Sequence, residues 1–330
     1  MWYLVNFRFY SFLFILCALT YSSLTWAKSF EGYLEEVKQE AREKGISEQT
    51  LKDAFKKVKK PNNKVVRKDR NQVEFKITFE KYYNRRGRPL VVKGKSYRKK
   101  FTTLLDAIEE RRQVSREYIL ALWGVESRFG HNMGKFSVIQ SLATLAYDGR
   151  REKFFREELM HALYILEEGH VRAESFKGGW AGALGQCQFM PSSFRRFAYD
   201  EDGDGRKDIW HSVPDVLSSI GHYLAKHGWK KGEPWGEEVI VSTKVPDKFL
   251  DLKITQPVQK WIKLGVKPQQ GNIFANLKRE ASLIKMPGGK KQKDRFFLVY
   301  DNFKSILKWN RSYVFALTVG HVAEKIRESK

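Results

Sequence analysis

The stretch ALWGVESRFG, residues 121–130, sets one carboxylate, Glu126, at the end of an apolar run. Leu120, Leu122, Trp123 and Val125 surround it in sequence. A carboxyl among apolar side chains is costly to ionise, so its pKa rises. An acid still protonated near neutral pH can protonate a leaving alkoxide, as cleavage of a glycosidic bond requires. Taken alone, these residues equally describe a solvated glutamate at a fraying helix end, and by itself the motif favours that simpler account.

A second segment, GGWAGALGQCQFMPSSF at 178–194, joins glycines to amides and rings. Glycines let backbone run close to a ligand. Gln186 and Gln188 offer amide donors and acceptors, and Trp180 and Phe189 offer flat apolar faces. Sugars are bound by such a mixture, though a tightly packed turn has the same composition. The third segment, DEDGDGRKDIW at 200–210, spaces Asp200, Asp202 and Asp204 alternately, with Gly205 at the sixth position. That is the opening of an EF-hand calcium loop, where hard oxygens converge on the ion. The Arg206 carbonyl falls at the seventh position and Asp208 at the ninth. His211 stands at the twelfth, where an acid belongs. Asp215 is a substitute ligand or simply an acid in the next helix's first turn, and the whole segment also reads as a metal-free Asp/Gly turn. No HExxH, GxSxG, Walker A or dinucleotide fingerprint occurs.

Helical patterns position these segments. Tyr33, Leu34, Val37 and Ala41 form one stripe, and Ser47 caps a second helix bearing Leu51, Phe55 and Val58. Residues 56–71, basic and broken by Pro61-Asn62-Asn63, read as a connecting loop. Phe101, Leu104, Leu105 and Ile108 mark another helix. Ser115 caps the one that carries Glu126, and Gly130 stops it. Residues 151–168 form a helix with Phe154, Phe155, Leu159, Leu163 and Leu166 inward. Ser212-Val213-Pro214 and Ser312 open two more. Residues 238–246, 280–286 and 295–300 are β-rich. The pattern predicts a mainly helical α+β fold divided as follows: a leader over 1–27, an N-terminal helical region over 28–100 and a catalytic core over 101–233. An inserted β-rich module follows over 234–300, and a C-terminal helical segment over 301–330 completes the core.

The chain has 330 residues, a formal net charge of +23 and 42% hydrophobic residues, enough to bury a large core. Its first residues read as an export signal: Arg8 is the n-region, Phe9–Leu19 the apolar core, and Thr25-Trp26-Ala27 the cleavage site. An uncleaved anchor is the alternative. Leu16 before Cys17 argues against lipidation. Cleavage leaves Cys187 without a disulfide partner, so packing must hold the mature protein together. A secreted cationic chain should meet a polyanion such as cell-wall polymer or a membrane surface rather than nucleic acid.

Together, WGVESRFG (123–130), YDGRREKFFREEL (147–159), the glycine segment, the acidic loop, YLAKHGW (223–229), DNF (301–303) and WNRSYVFALTVG (309–320) resemble the MltB family of lytic murein transglycosylases. The resemblance implies a lysozyme-like core and a periplasmic enzyme cleaving the MurNAc–GlcNAc bond of peptidoglycan. Glu126 matches the single acid/base. The resemblance further implies substrate contacts from Ser127, Arg150, Arg151, Gln188, Phe189, Tyr223 and Asn302. It also implies calcium at the acidic loop, through Asp200, Asp202, Asp204, Arg206 and Asp208. Trp309 stands where the family usually has tyrosine, and Cys187 where glycine or proline is expected. No cofactor is expected in catalysis beyond a structural Ca2+. Expected partners are glycan strands and candidate wall-synthesis or divisome proteins, with the chain a monomer. The rival readings are a hydrolytic muramidase, for which Asp148 is a candidate second acid, and a non-catalytic cationic glycan-binding scaffold.

Overall fold

Serine and asparagine caps start several of the helices, and apolar stripes decide which faces turn inward. The computed structural model describes residues 29–71, 77–242, 245–269, 274–289 and 293–328. The segment expected as an export signal and Cys17 lie outside the described residues. Helix α1 (Phe30–Glu43) begins where the Ser29 side chain accepts from Gly32 N, and it buries Tyr33, Leu34, Val37 and Ala41. Helix α2 (Glu48–Phe55) begins at Ser47, which accepts from Thr50 N. The basic segment expected as a loop contains a helix, α3 (Asn63–Arg70). The asparagine read as a breaker is its cap: Asn62 accepts from Lys64 N, while Val65 and Asp69 anchor the helix inward. A side-chain oxygen that competes with the backbone in mid-helix satisfies an orphan donor at the start.

Helix α4 (Phe79–Tyr82) runs through a π turn and a 3-10 turn into α5 (Val91–Lys100), followed by α6 (Thr102–Arg112). Helix α7 (Arg116–Ser127) is buried along nearly its whole length. It is enclosed by α5 and α6 and by two later helices, α11 and α14, given below. Ser115 stands at its N-cap position but makes no capping bond. A two-residue ladder pairs β1 (Phe136–Ser137) with β2 (Lys177–Gly178), and between them lie α8 (Val138–Tyr147) and α9 (Glu152–Glu167). In α9, Phe155 is buried, whereas Phe154, expected inward, is 42% exposed. Adjacent residues on a helix point about 100° apart, so both rings cannot face one core. Helices α10 (Pro191–Phe197) and α11 (Val213–Lys226) flank the acidic loop.

The β-rich region is one antiparallel sheet. Its strands are β3 (Gly236–Val241), β4 (Thr255–Pro257), β5 (Val266–Pro268), β6 (Glu280–Met286) and β7 (Arg295–Val299), in the order β4-β6-β7-β3-β5. The sequence pattern marks the three long strands. The two edge strands have three residues each and contain proline, too little for an alternating signal. Helix α12 (Val258–Lys263) links β4 to β5, and its Trp261 sits in a small core of the module's own with Val239, Leu283 and Leu298. Helices α13 (Asp301–Trp309) and α14 (Tyr313–Arg327) then return to the main core, which runs from Phe30 to Ile326. The architecture is mainly helical α+β. Among the described residues no helix is long and apolar enough to cross a membrane.

Candidate active site

Helix α7 ends in three successive left-handed residues, Arg128, Phe129 and Gly130. At Gly130 the requirement is double. Its φ is +84°, and a Cβ there would lie 2.4 Å from Gln186 Oε1. That oxygen accepts from Trp123 Nε1 at 2.8 Å, while Gln186 Nε2 donates to Trp210 O at 2.9 Å. One buried amide thus ties the end of α7 to both the glycine segment and the acidic loop.

Glu126, in the last turn of α7, is half-buried. Trp309, the last residue of α13, donates from Nε1 to Glu126 Oε1 at 2.7 Å. The indole is packed between Phe189, with ring centroids 5.0 Å apart, and Tyr223, at 4.7 Å. Tyr223 donates its hydroxyl to Lys308 O at 2.7 Å, fastening the end of α13. Burial pushes that phenol up to about 12. Cys187 is fully buried, its thiol 3.7 Å from Val216 O. Burial, with the Glu126 and Asp215 charges, holds the thiol well above its ordinary range, so it stays neutral.

The structure brings Glu126, Phe189 and Tyr223 together, with Trp309 among them, and gives the other expected contact residues more local work. The Ser127 hydroxyl, fully buried, accepts from Gly130 N and donates to Trp123 O, shaping the turn. Gln188 donates both amide hydrogens inward, to Met133 O and Gly185 O. Tyr223 is only 6% exposed and its hydroxyl is already engaged, so it supports Trp309 rather than offering a sugar contact. Asn302 is fully buried. Its amide donates to Lys230 O and Glu233 O and its oxygen accepts from Lys230 N, so it clamps the turn after α11 and has no N–H left for a ligand. Arg150 and Arg151 both bind the buried carboxylate of Asp69. Arg151 also stacks over Phe155 at 4.6 Å. It lines a cavity of about 660 Å³ with Lys68, Arg85, Arg86, Phe154 and Trp180 among its walls. This hollow is cationic and aromatic, and it abuts the glycine segment through Trp180 and Ala181.

In the acidic loop the carboxylate oxygens of Asp200, Asp202 and Asp204 lie within 4.8 Å of one another. Oxygens sharing one calcium ion at about 2.4 Å can be at most about twice that distance apart, so the three acids fit a hard cation. Asp200 also accepts from Gly203 N and Gly205 N, which folds the loop. Asp208 instead accepts from Trp210 N and His211 N. Asp215 accepts from Glu201 N and Asp208 N at 2.8 and 2.7 Å. It pins the loop to α11, and neither of the two later acids joins the cluster of three. Asp148 is ion-paired to Arg70 at 2.8 Å.

Sequence reasoning missed Trp309 as a contact of Glu126. The signal present was its departure from the usual tyrosine, but no local pattern connects residues 183 positions apart.

Fold and site together define a mainly helical α+β protein of lysozyme-like build, with a carboxylate presented at a helix end beside a glycine-rich loop. The chain belongs to the transglycosylase SLT domain family, which it matches over residues 29–324. It is 32% identical over 216 residues to membrane-bound lytic murein transglycosylase B of Escherichia coli K12, a match covering 64% of this chain and 57% of that relative. The chain therefore spans little more than half the length of that relative. SltB3 of Pseudomonas aeruginosa, solved in complex with NAG-NAM-pentapeptide, superposes with a TM-score of 0.85 at 39% identity, over 92% of this chain and 80% of that one. The Escherichia coli lytic transglycosylase Slt35, solved in complex with calcium, gives 0.77 at 25% identity, over 89% and 92%.

Proposed function

We propose that the chain is a lytic murein transglycosylase that cleaves the MurNAc–GlcNAc β-1,4 bond of peptidoglycan in the periplasm without consuming water. The observation that carries the reading is Glu126, presented at the end of α7 and held by Trp309, whose ring packs on Phe189. Glu126 protonates the glycosidic oxygen as its bond to muramoyl C1 breaks. The muramoyl C6 hydroxyl then attacks C1, and the Glu126 carboxylate takes the hydroxyl proton. A 1,6-anhydro ring closes and Glu126 ends protonated, ready for the next cycle. Attack from within the same sugar has an effective molarity on the order of 10⁵ M or more, so no second carboxylate is needed to hold water. The engagement of Asp148 with Arg70 supports this route over a hydrolytic one.

The cationic, aromatic hollow beside Trp180 suits the acidic, peptide-bearing glycan to which SltB3 was bound. Asp200, Asp202 and Asp204 would hold a structural Ca2+, and the resemblance adds the Arg206 carbonyl as a further ligand. Bound there, the ion would neutralise three clustered acids between α10 and α11, with no part in the reaction.

The test is mass spectrometry of purified peptidoglycan digested with the protein and with Glu126→Gln. Anhydromuropeptides from the wild type alone support the reading. Reducing-end products would make it a muramidase, and intact glycan with both proteins would make it a binding scaffold.

A further inference from the structure

We propose that Trp309 is a positioning residue that selects which oxygen of Glu126 carries the transferable proton; the proposal rests on the transglycosylase reading. An indole N–H donates and has no lone pair with which to accept. At 2.7 Å from Oε1 it therefore favours that oxygen as the carbonyl acceptor of the neutral acid and the proton on Oε2. A tyrosine hydroxyl in its place would both donate and accept, and leave the choice open. The donor also favours the ionised carboxylate, the form that must take the C6 hydroxyl proton in the second half of the reaction.

The support behind Trp309 is built to hold its ring. Tyr223 packs against it and fixes the Lys308 carbonyl, and Phe189 covers it from the glycine segment. Tyr223 in turn stacks on His227 at 4.0 Å. The titratable group of the glycine segment that feels the Glu126 charge is Cys187, whose thiol stays neutral. The arrangement is thus a relay of position from α11 through α13 to the end of α7, closing on the charge-assisted hydrogen bond from Trp309 to Glu126.

Two measurements test it. The first compares Trp309→Phe and Trp309→Tyr with wild type on muropeptide substrate across pH. The phenylalanine variant keeps the aromatic packing and loses the donor. Its kcat should fall about 10- to 100-fold, the worth of one hydrogen bond to a charged group. Its KM should change little, and the alkaline limb of its kcat/KM profile should move up by about one pH unit. The tyrosine variant should recover part of the lost kcat. A phenylalanine variant with wild-type kcat and an unmoved alkaline limb overturns the proposal. So does a kcat loss that comes without a limb shift and is not relieved by tyrosine, because that is the mark of packing alone.

The second measurement needs no turnover and remains decisive if the phenylalanine variant fails to fold. The Trp309 indole N–H is assigned in a ¹⁵N spectrum by its loss in Trp309→Tyr. It should titrate with Glu126 in the wild type and stop titrating in Glu126→Gln. A resonance that ignores pH, or titrates identically in Glu126→Gln, overturns the contact. If the wild type yields no anhydro product while the resonance still titrates with Glu126, the transglycosylase reading fails and the contact stands.

Discussion

Two glutamates in this chain each accept an indole N–H across the fold, and their surroundings make them different groups. Glu126 accepts from Trp309 at 2.7 Å, and Glu324, on α14, accepts from Trp235 at 2.8 Å. The first is set among Phe189, Tyr223 and the glycine segment. The second lines a cavity of about 320 Å³ with Glu237, Glu238, Arg295 and His321, none of them from that segment. Burial pushes Glu324 up to about 7 and His321 down to about 4, both toward the neutral form. Trp235 lies so close to α14 that a Cβ on Gly320 would meet its ring at 2.5 Å. The indole–carboxylate contact is therefore a way of joining distant segments, and the glycine segment beside Glu126 is what sets the proposed catalytic pair apart from the other.

The largest expected effect separates the pairs by activity. Glu126→Gln should lower kcat by about a thousandfold, the worth of a general acid/base, with the fold intact by circular dichroism. Glu324→Gln should leave kcat within about twofold, since glutamine still accepts from Trp235 and the pair lies outside the site. Equal losses in both variants would erase the distinction.

Next in size is the scaffold of the second pair. Asn302 clamps the turn that leads into Trp235. Asn302→Ala should cost about 3 kcal/mol in urea unfolding by orphaning buried backbone groups. The folded fraction should still yield the same products, and a change of product would move Asn302 to the active site.

A third effect is read through pH. The folded pKa of Glu324 is raised to about 7 from an unfolded value of 4.5. The folded state therefore holds this proton more tightly. The associated stability is complete below pH 4.5 and is lost as pH rises to about 7. With allowance for partial exposure, Glu324→Gln should gain about 2 kcal/mol on the wild type between those limits. The check is the difference between their urea midpoints at pH 4.5 and pH 8. A constant difference would mean that the glutamate is not held neutral.

The smallest effect concerns the acidic loop. Calcium at ten times its Kd should stabilise the protein by about 1.4 kcal/mol, and Asp204→Asn should abolish the rise in Tm. An equal rise in the variant would place the ion elsewhere.

Much of the candidate site was legible because its signals are local. The glutamate at the end of an apolar run, the glycines before Gln188-Phe189 and the alternating aspartates each declare themselves within about a dozen residues. The Ser47 cap and the apolar stripes of α1 and α9 are equally local. Other features misled for a physical reason. Asn62 has the same composition as a breaker and as a cap, and only burial of Val65 and Asp69 selects the cap. Phe154 and Phe155 are chemically identical, and only the helix's rotation on the core exposes one.

The sequence by itself determined the helical character, the acid, the glycine-rich loop and the acidic turn, because each depends on neighbours a few bonds away. Tertiary structure alone decided which polar groups remain for a ligand. It sent Ser127 and Asn302 inward, turned Tyr223 into a support and brought Trp309 onto Glu126. Those outcomes depend on hydrogen bonds closed between distant segments, whose geometry exists only once the core has packed.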